Sequence, residues 1–171
     1  MKATQRSAVA KFAAAGKESK KKDLGRMLMS YGNIYVASVC LGADRAQTVK
    51  AIVEAEAYDG PSVIIAYAPC INHGIRAGMG TAQYEQKLAV ETGYWNLYRY
   101  DPQRSAAGEN PFILDSKAPS KPLAEFLDSE TRFLSLKKAF PERAEMLYQQ
   151  EVKDTEERYA YYKFLSENNL G

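Results

Sequence analysis

The segment 34–68 constrains the fold most, because it reads as a complete strand–helix–strand unit. Its first apolar run is followed by Asp44, and Gln47 stands three residues later, at the spacing of a helix capping box. Gly60-Pro61 ends the helical stretch, and a second apolar run follows at 62–68. This length and punctuation are typical of two parallel strands joined by a crossover helix. We therefore predict an α/β fold with a mostly parallel sheet and flanking helices.

The pattern predicts further elements on either side of this unit. Apolar residues at 7–15 have helical spacing, and Asp23 is suited to cap a helix that follows it. Residues 95–100 alternate as a strand does, and 112–114 predicts a short strand antiparallel to it. In the crossover helix, we expect three apolar residues to form the buried stripe: Val49, Ile52 and Val53.

The composition changes near residue 118. We expect residues 1–118 to form the α/β part and residues 119–171 to form a helical tail packed on it. Aromatic, aliphatic and small residues recur every three or four positions beyond Pro141, which predicts a long amphipathic helix with proline in its first turn. This helix could pack on its own domain or wrap onto another subunit, and we expect a homo-oligomer.

Composition excludes several classes of protein. A net charge of +2 over 171 residues gives no general nucleic-acid footprint, and no apolar stretch approaches the roughly 18 residues of a membrane span. With two cysteines and no secretory signal, we expect a cytoplasmic protein without a disulfide framework. The basic segment 17–22 is either a solvated loop or a docking patch for an acidic partner or a phosphate-bearing ligand.

Cys70 is the strongest candidate for a functional residue in the chain. It follows the second predicted strand, and ligands collect beyond the carboxyl ends of parallel strands. His73, the only histidine, lies three residues later. A nucleophile–base pair, part of a metal site and a plain buried thiol all stay open on spacing alone. We expect Cys40 to be a buried structural thiol, and no pair of carboxylates predicts a catalytic residue.

Many ordered segments of the chain together resemble the C-terminal part of the thiamine diphosphate-binding domain of pyruvate:ferredoxin (flavodoxin) oxidoreductases. The resemblance covers nearly the whole chain, and its matching order makes it more specific than any one motif. The segments include Lys2-Ala3-Thr4, Ala8-Val9-Ala10-Lys11-Phe12, Lys21-Lys22-Asp23-Leu24-Gly25-Arg26, Gly60-Pro61-Ser62, Ile65-Ala66-Tyr67-Ala68, Cys70-Ile71-Asn72, Gly78-Met79-Gly80, Gly93-Tyr94-Trp95, Tyr100-Asp101-Pro102 and Phe140-Pro141-Glu142-Arg143-Ala144.

The resemblance implies a thiamine diphosphate-binding α/β fold in an enzyme that oxidatively decarboxylates pyruvate. Electrons then pass through 4Fe-4S clusters to ferredoxin or flavodoxin, and the acetyl group goes to coenzyme A. By motif match, Cys70 corresponds to the last of four ligands of the cluster nearest the thiamine. A cubane cluster takes four thiolates, so one cysteine here is a quarter of a site. The resemblance implies no role for His73.

The family's Gly-Asp-Gly segment and asparagine motif, which hold thiamine diphosphate and its magnesium, do not occur in this sequence. Met1 falls where the asparagine motif has just ended, and Gln5 stands where a proline is usual. We therefore expect a fragment or split subunit that is inactive alone, exposes a strand edge and an apolar face, and needs the remainder of the oxidoreductase. The alternatives are a non-catalytic packing or assembly module and a small flavodoxin-like binding domain with a reactive thiol.

Overall fold

The computed structural model describes residues 4–11 and 13–168. Lys2, Ala3 and Phe12, which contribute to the sequence resemblance, lie outside this part. The described residues form four strands and seven α-helices: α1 (Leu24–Met29), β1 (Tyr35–Val39), α2 (Arg45–Ala57), β2 (Ser62–Ala66), α3 (Ala82–Glu91), β3 (Tyr98–Tyr100), α4 (Pro102–Ala106), β4 (Phe112–Leu114), α5 (Leu123–Leu127), α6 (Thr131–Ala139) and α7 (Pro141–Glu167).

The four strands form one sheet in the order β2-β1-β3-β4. The predicted α/β class, with flanking helices and a long C-terminal helix, is confirmed. The sheet is mixed, because β1 pairs with β2 in parallel whereas β3 is antiparallel to both β1 and β4. Leu88 of α3 belongs to the same core cluster as Cys40, the residue after β1, so α3 lies at the carboxyl end of β1. The chain therefore enters β3 from that end and runs back along the sheet.

The helix predicted at 7–15 is wrong for the described residues of that stretch, which form turns and an isolated bridge. Tertiary hydrogen bonds replace helical ones there. The Ser7 amide donates to the Lys17 carbonyl at 2.9 Å, and the Val9 amide donates to the Arg132 carbonyl at 2.9 Å. Tertiary context thus overrides a local helical pattern.

The crossover helix begins as predicted but faces another way. Asp44 caps α2 by accepting a hydrogen bond from the Gln47 amide at 2.9 Å. The predicted buried stripe is wrong, since Val49, Ile52 and Val53 are 57%, 50% and 59% exposed. The residues that α2 buries against the sheet are Gln47, Thr48 and Ala51.

A buried ion network holds α2 in this orientation. Arg99 of β3 donates Nε and Nη2 to the two carboxylate oxygens of Asp115, each at 2.9 Å. Its Nη1 donates to Glu54 of α2 at 2.6 Å, and the Tyr35 hydroxyl of β1 donates to the same carboxylate at 2.9 Å. Gln47 donates to Asp115 at 2.9 Å. The bond to Asp115 is the main reason that the pKa of Arg99 is raised.

The C-terminal helix packs on the opposite face of the sheet. The Tyr162 ring lies 4.8 Å from Tyr98 and 5.7 Å from Phe112, centroid to centroid. Its hydroxyl donates to Asp23, the cap of α1, at 2.6 Å. Packing of this helix on its own sheet is therefore the alternative that the structure shows, while the division at residue 118 stays a prediction. Within the described ranges, no helix is both long and apolar enough to span a membrane.

A cluster of buried residues covers the carboxyl end of the parallel strands. Cys40 and Tyr67, which follow β1 and β2, are buried among residues of α3, α5 and α6. The rings of Tyr94 and Phe126 lie 4.3 Å apart at its centre. This cluster supports the loop that carries Cys70.

We expect Arg99→Ala to lower the free energy of unfolding by about 3–5 kcal/mol, because it leaves Asp115 and Glu54 without their buried partner. Equilibrium urea unfolding followed by circular dichroism measures this change. Lys137→Ala, which removes an exposed pair with Asp128, serves as the control and should lower it by about 1 kcal/mol or less. Equal effects of the two substitutions would contradict the account.

Candidate functional site

Cys70 lies on the surface beyond the carboxyl end of β2, where the sequence predicts it. The chain leaves β2 through the buried Tyr67 and emerges at Cys70, whose side chain is exposed. A short 3-10 helix, Ile71–His73, follows directly. The open alternative of a plain buried thiol is therefore wrong for Cys70.

Backbone hydrogen bonds fix the loop that follows Cys70 to the start of α6. Both the amide and the hydroxyl of Thr131 donate to the Gly74 carbonyl, at 2.8 and 2.9 Å. The Arg76 amide donates to the Ser129 carbonyl at 2.9 Å. Gly74 has φ of +68°, and a Cβ there would lie 2.7 Å from the Thr131 Cβ, so glycine suits both the turn and the close approach.

His73 is bonded to the backbone of Cys70. The Cys70 amide donates to His73 Nδ1 at 3.3 Å, and the His73 amide donates to the Cys70 carbonyl at 2.9 Å. Burial lowers the pKa of His73 to about 4, with help from the nearby charges of Arg132 and Lys21. A neutral imidazole whose Nδ1 accepts from an amide positions the loop, and this geometry does not favour His73 as the base of a nucleophile pair.

A buried carboxylate that no sequence pattern predicts lies below this loop. Glu130 is fully buried, and its Oε1 lies 3.6 Å from His73 Nδ1, while its other oxygen accepts from Arg132 at 2.5 Å. Burial outweighs Arg132 and raises the pKa of Glu130 to about 7. A second buried carboxylate, Glu85, accepts from the Ser129 hydroxyl at 2.5 Å, and burial raises its pKa as well. The surrounding sequence, Asp128-Ser129-Glu130-Thr131-Arg132, is polar throughout, and no periodicity in it indicates burial.

Cys40 behaves as predicted. Its side chain is fully buried, and its Sγ donates weakly to the Gln86 carbonyl at 3.5 Å. Burial raises the pKa of this thiol to about 11, which keeps it protonated and unreactive. The structure does not join Cys40 to Cys70, since both are free.

The basic segment 17–22 lies against other parts of the chain. Glu18 pairs with Arg143 at 2.5 Å, Lys20 lies 3.9 Å from Asp154 of α7, and the Lys21 ammonium lies 5.6 Å from the Trp95 ring. Lys20 and Lys22 are exposed. The segment is thus an exposed loop on the surface, a position that both of its interpretations require.

Metal-ligating side chains do not converge within 4–11 and 13–168, where no group of three or more histidine, cysteine, aspartate or glutamate residues could hold an ion. Cys70 is therefore a single exposed thiol at a fixed position. Chemically, such a site can complete a metal centre whose other ligands come from another polypeptide segment.

Three relatives illustrate what the chain is similar to. It is 59% identical over 97% of its length to a pyruvate:ferredoxin oxidoreductase of Moorella thermoacetica, and 54% identical over 96% to a pyruvate-flavodoxin oxidoreductase of Klebsiella pneumoniae. It is 50% identical over 97% to a mitochondrial pyruvate dehydrogenase [NADP(+)] of Euglena gracilis. The chain spans only 14%, 14% and 9% of these relatives. No family model matches it.

The similarity to oxidoreductases expected from the sequence segments is confirmed. Identities of 50% and above over nearly all of a chain indicate a common fold and origin for the matched region. The short share of each relative agrees with the expectation that this chain corresponds to a part of such an enzyme. Assignment of that part to the thiamine diphosphate-binding domain stays a prediction.

We expect a thiol reagent such as Ellman's to label Cys70 rapidly in the folded chain and Cys40 only after unfolding, because exposure and thiolate formation control the rate. Absorbance at neutral pH measures the number of reacting thiols. Cys70→Ser should abolish the rapid phase, and His73→Ala should leave its rate unchanged. A slower rapid phase in His73→Ala would contradict this expectation and would show that His73 acts as a base for Cys70.

We expect Glu130 to make stability fall as pH rises from about 4.5 to about 7. Its pKa in the folded chain lies above the ordinary value, so folding favours the protonated form and that stabilisation disappears as the carboxyl ionises. The difference in unfolding free energy between the parent chain and Glu130→Gln, measured from pH 5 to pH 8, should therefore decrease. The exposed Glu156→Gln serves as control. A difference that does not depend on pH would contradict the buried-acid assignment.

Proposed function

We propose that this chain is a part of a 2-oxoacid:ferredoxin (or flavodoxin) oxidoreductase that acts on pyruvate, and that it is inactive alone. The matched relatives support this proposal, because their names state this activity and more than half of the aligned residues are identical over nearly the full length of this chain. The α/β fold agrees with the thiamine diphosphate-binding fold that the sequence resemblance implies. In the enzyme, this chain would contribute its sheet and the Cys70 loop to that domain.

Cys70 is proposed as one of the four thiolate ligands of a 4Fe-4S cluster. The observation that carries this assignment is an exposed thiol on a loop that backbone bonds hold at the end of β2. The residues present fit the role of one ligand, because the thiol is accessible and the Cys70 amide and carbonyl are already satisfied by His73. The other three ligands would come from the remainder of the oxidoreductase.

The cluster, when bound, would carry electrons from pyruvate oxidation towards ferredoxin or flavodoxin. This chain's own residues would fix the position of the fourth sulfur. His73 holds the Cys70 amide, Thr131 holds the Gly74 carbonyl, and the buried Glu130 lies beneath them. We propose no catalytic residue in this chain, and we assign thiamine diphosphate with its magnesium to the remainder of the enzyme.

The wider assignments follow from the same proposal. Ferredoxin or flavodoxin and coenzyme A would be partners of the complete enzyme, which we expect to be a cytoplasmic homo-oligomer without contact to nucleic acid. A non-catalytic packing module is the second candidate, because apolar side chains on α1 and α2 are exposed. In the third candidate, a small binding domain with a reactive thiol, Cys70 would act without His73 as its base, because His73 Nδ1 accepts from the Cys70 amide.

We expect Cys70→Ser to remove one cluster from an assembled enzyme. The test uses a chimera of the Moorella thermoacetica relative in which this chain replaces its matched segment. Iron content should fall by about four atoms per polypeptide, the number in one cubane cluster, and one reducible signal should disappear from the electron paramagnetic resonance spectrum.

Cys40→Ala is the matched control for this experiment. It removes the buried thiol from the same sheet end, and it should leave both the iron content and the spectrum unchanged. Retention of all clusters by Cys70→Ser would refute the ligand assignment, and absence of clusters from the parent chimera would refute the membership of this chain in such an enzyme.

A further inference from the structure

The face of the sheet that carries α7 has a cavity of about 500 Å³ beside the basic segment. Its walls come from residues 20–26, from Trp95 and Asn96, and from α7, and two strand residues, Ser38 and Tyr98, also line it. A volume of this size lies in the range of small-molecule sites, roughly 300–1,000 Å³. The end of the basic segment is therefore one wall of a concave site.

Four cationic side chains that line this cavity have no carboxylate within 4 Å in the part of the chain that the structure describes. They come from three places, namely the basic segment, α1 and α7, and we call them the free cations: Lys21, Lys22, Arg26 and Arg158. Their convergence from separate elements means that the fold, and not the local sequence alone, assembles the positive charge.

Two of the carboxylates that line the cavity are paired with Arg6, which lies outside the lining. Arg6 Nη2 lies 2.8 Å from Asp154, and Arg6 Nε lies 3.8 Å from Glu151. Burial raises the pKa of Glu151, which favours its neutral form. Neither carboxylate therefore cancels the charge of the free cations.

The other two carboxylates of the lining also have partners outside the free cations. Asp23 accepts from the Tyr162 hydroxyl at 2.6 Å, and Glu157 lies 3.9 Å from Lys153, one turn earlier on α7. The cavity consequently has an excess of positive charge, which favours an anion.

Neutral oxygens hold one of the free cations, Arg158, in a fixed position. Its Nε donates to Asn96 Oδ1 at 3.2 Å, and its Nη2 donates to the carbonyls of Gly93 and Tyr94 at 3.2 and 2.9 Å. Its Nη1 makes no hydrogen bond to any described residue. A guanidinium that is already positioned and still has free donors is well suited to bind phosphate oxygens.

Aromatic rings hold two further free cations without neutralising them. The Lys21 ammonium lies 5.6 Å from the centre of the Trp95 ring, and the Arg26 guanidinium lies 3.9 Å from that of Tyr161. Desolvation lowers the pKa of Lys21, and neighbouring cations, of which Arg132 has the largest effect, lower it further. An anion bound among these groups would relieve this repulsion.

The close packing of α1 on the sheet brings Arg26 to the cavity. A Cβ on Gly25 would overlap the Tyr98 hydroxyl, so α1 can approach β3 this closely only with glycine at that position. Arg26 follows directly and therefore lies at the wall that α1 forms.

We propose that this cavity binds a small phosphate-bearing molecule through the free cations. A phosphate group has several strong acceptor oxygens and up to two negative charges, so it can accept from cations on several elements at once. An acidic peptide matches the site less well, because the cations converge on one cavity and do not follow a groove. The site is independent of the proposed function, since all of its residues belong to this chain.

Fluorescence of Trp95, the only tryptophan in the sequence, reports binding directly. The chain is titrated at constant ionic strength with inorganic phosphate, glycerol phosphate and adenosine monophosphate. We expect a saturable change in emission, because a bound phosphate draws the Lys21 ammonium away from the ring.

Calorimetric titration of variants locates the site. Lys21→Gln and Arg26→Gln should each weaken binding about tenfold, because each removes a charge-assisted hydrogen bond. Lys50→Gln is the matched control, since it removes the same charge from an exposed position of α2, on the other face of the sheet. It should leave the affinity unchanged, and circular dichroism verifies that all three variants are folded.

The three probes distinguish the possible sources of the phosphate group. Equal affinity for all three supports recognition of the phosphate alone, whereas tighter binding of adenosine monophosphate supports an organic phosphate with a planar group. Failure of all three to bind would overturn the proposal. Equal weakening by Lys50→Gln would also overturn it and would show an adventitious ion only, and tighter binding of a polyglutamate peptide would assign the cations to an acidic partner.

The same titration of the chimera tests the site in the assembled enzyme. A tenfold loss of affinity on Arg26→Gln there supports the proposal, and binding that Arg26→Gln does not change would overturn it for the enzyme. The iron content of the chimera does not depend on this result, so the proposed function is tested separately.

Discussion

The parallel pairing of β1 with β2 determines where the chemistry and the open surface of this chain lie. Because the two strands run together, both carboxyl ends meet the same aromatic cluster, and the chain has to leave β2 over the top of that cluster at Cys70. The same pairing leaves β2 at the end of the sheet. A thiol at the rim and a free strand edge are thus two consequences of one arrangement.

Several charged side chains of this molecule are buried and several apolar side chains are exposed, which is the reverse of the usual pattern. Arg99, Glu130 and Glu85 are buried, whereas apolar residues of α1 and α2 are exposed. Buried charges are tolerated when they are paired, as Arg99 is with Asp115 and Glu54, and a carboxyl without enough partners shifts its pKa, as Glu130 does. Exposed apolar side chains contribute no burial free energy to the isolated chain, whereas their burial by a partner would stabilise the complex.

Sequence reasoning succeeded where local signals decide the structure. The Asp44 cap, the two apolar runs, the antiparallel strand at 112–114 and the start of α7 at Pro141 depend on short-range chemistry, and all are confirmed. It failed where distant contacts decide. The apolar spacing of α2 predicted the wrong buried face, because Gln47 and Glu54 bond to residues more than forty positions away in the chain.

The candidate site shows the same division. Position after a strand was enough to single out Cys70, and the thiol lies there at the surface. The support beneath it could not be predicted, because Glu130 and Thr131 reach the loop only through tertiary contact. The role of Cys70 as a cluster ligand came from resemblance to a family, and it stays a prediction.

An atomic-resolution structure of the reassembled enzyme, with this chain in place of the matched segment, tests the central claim most directly. The account predicts that the Cys70 sulfur is bonded to a cluster iron. A cluster held by four other cysteines, with Cys70 in solvent, would contradict it.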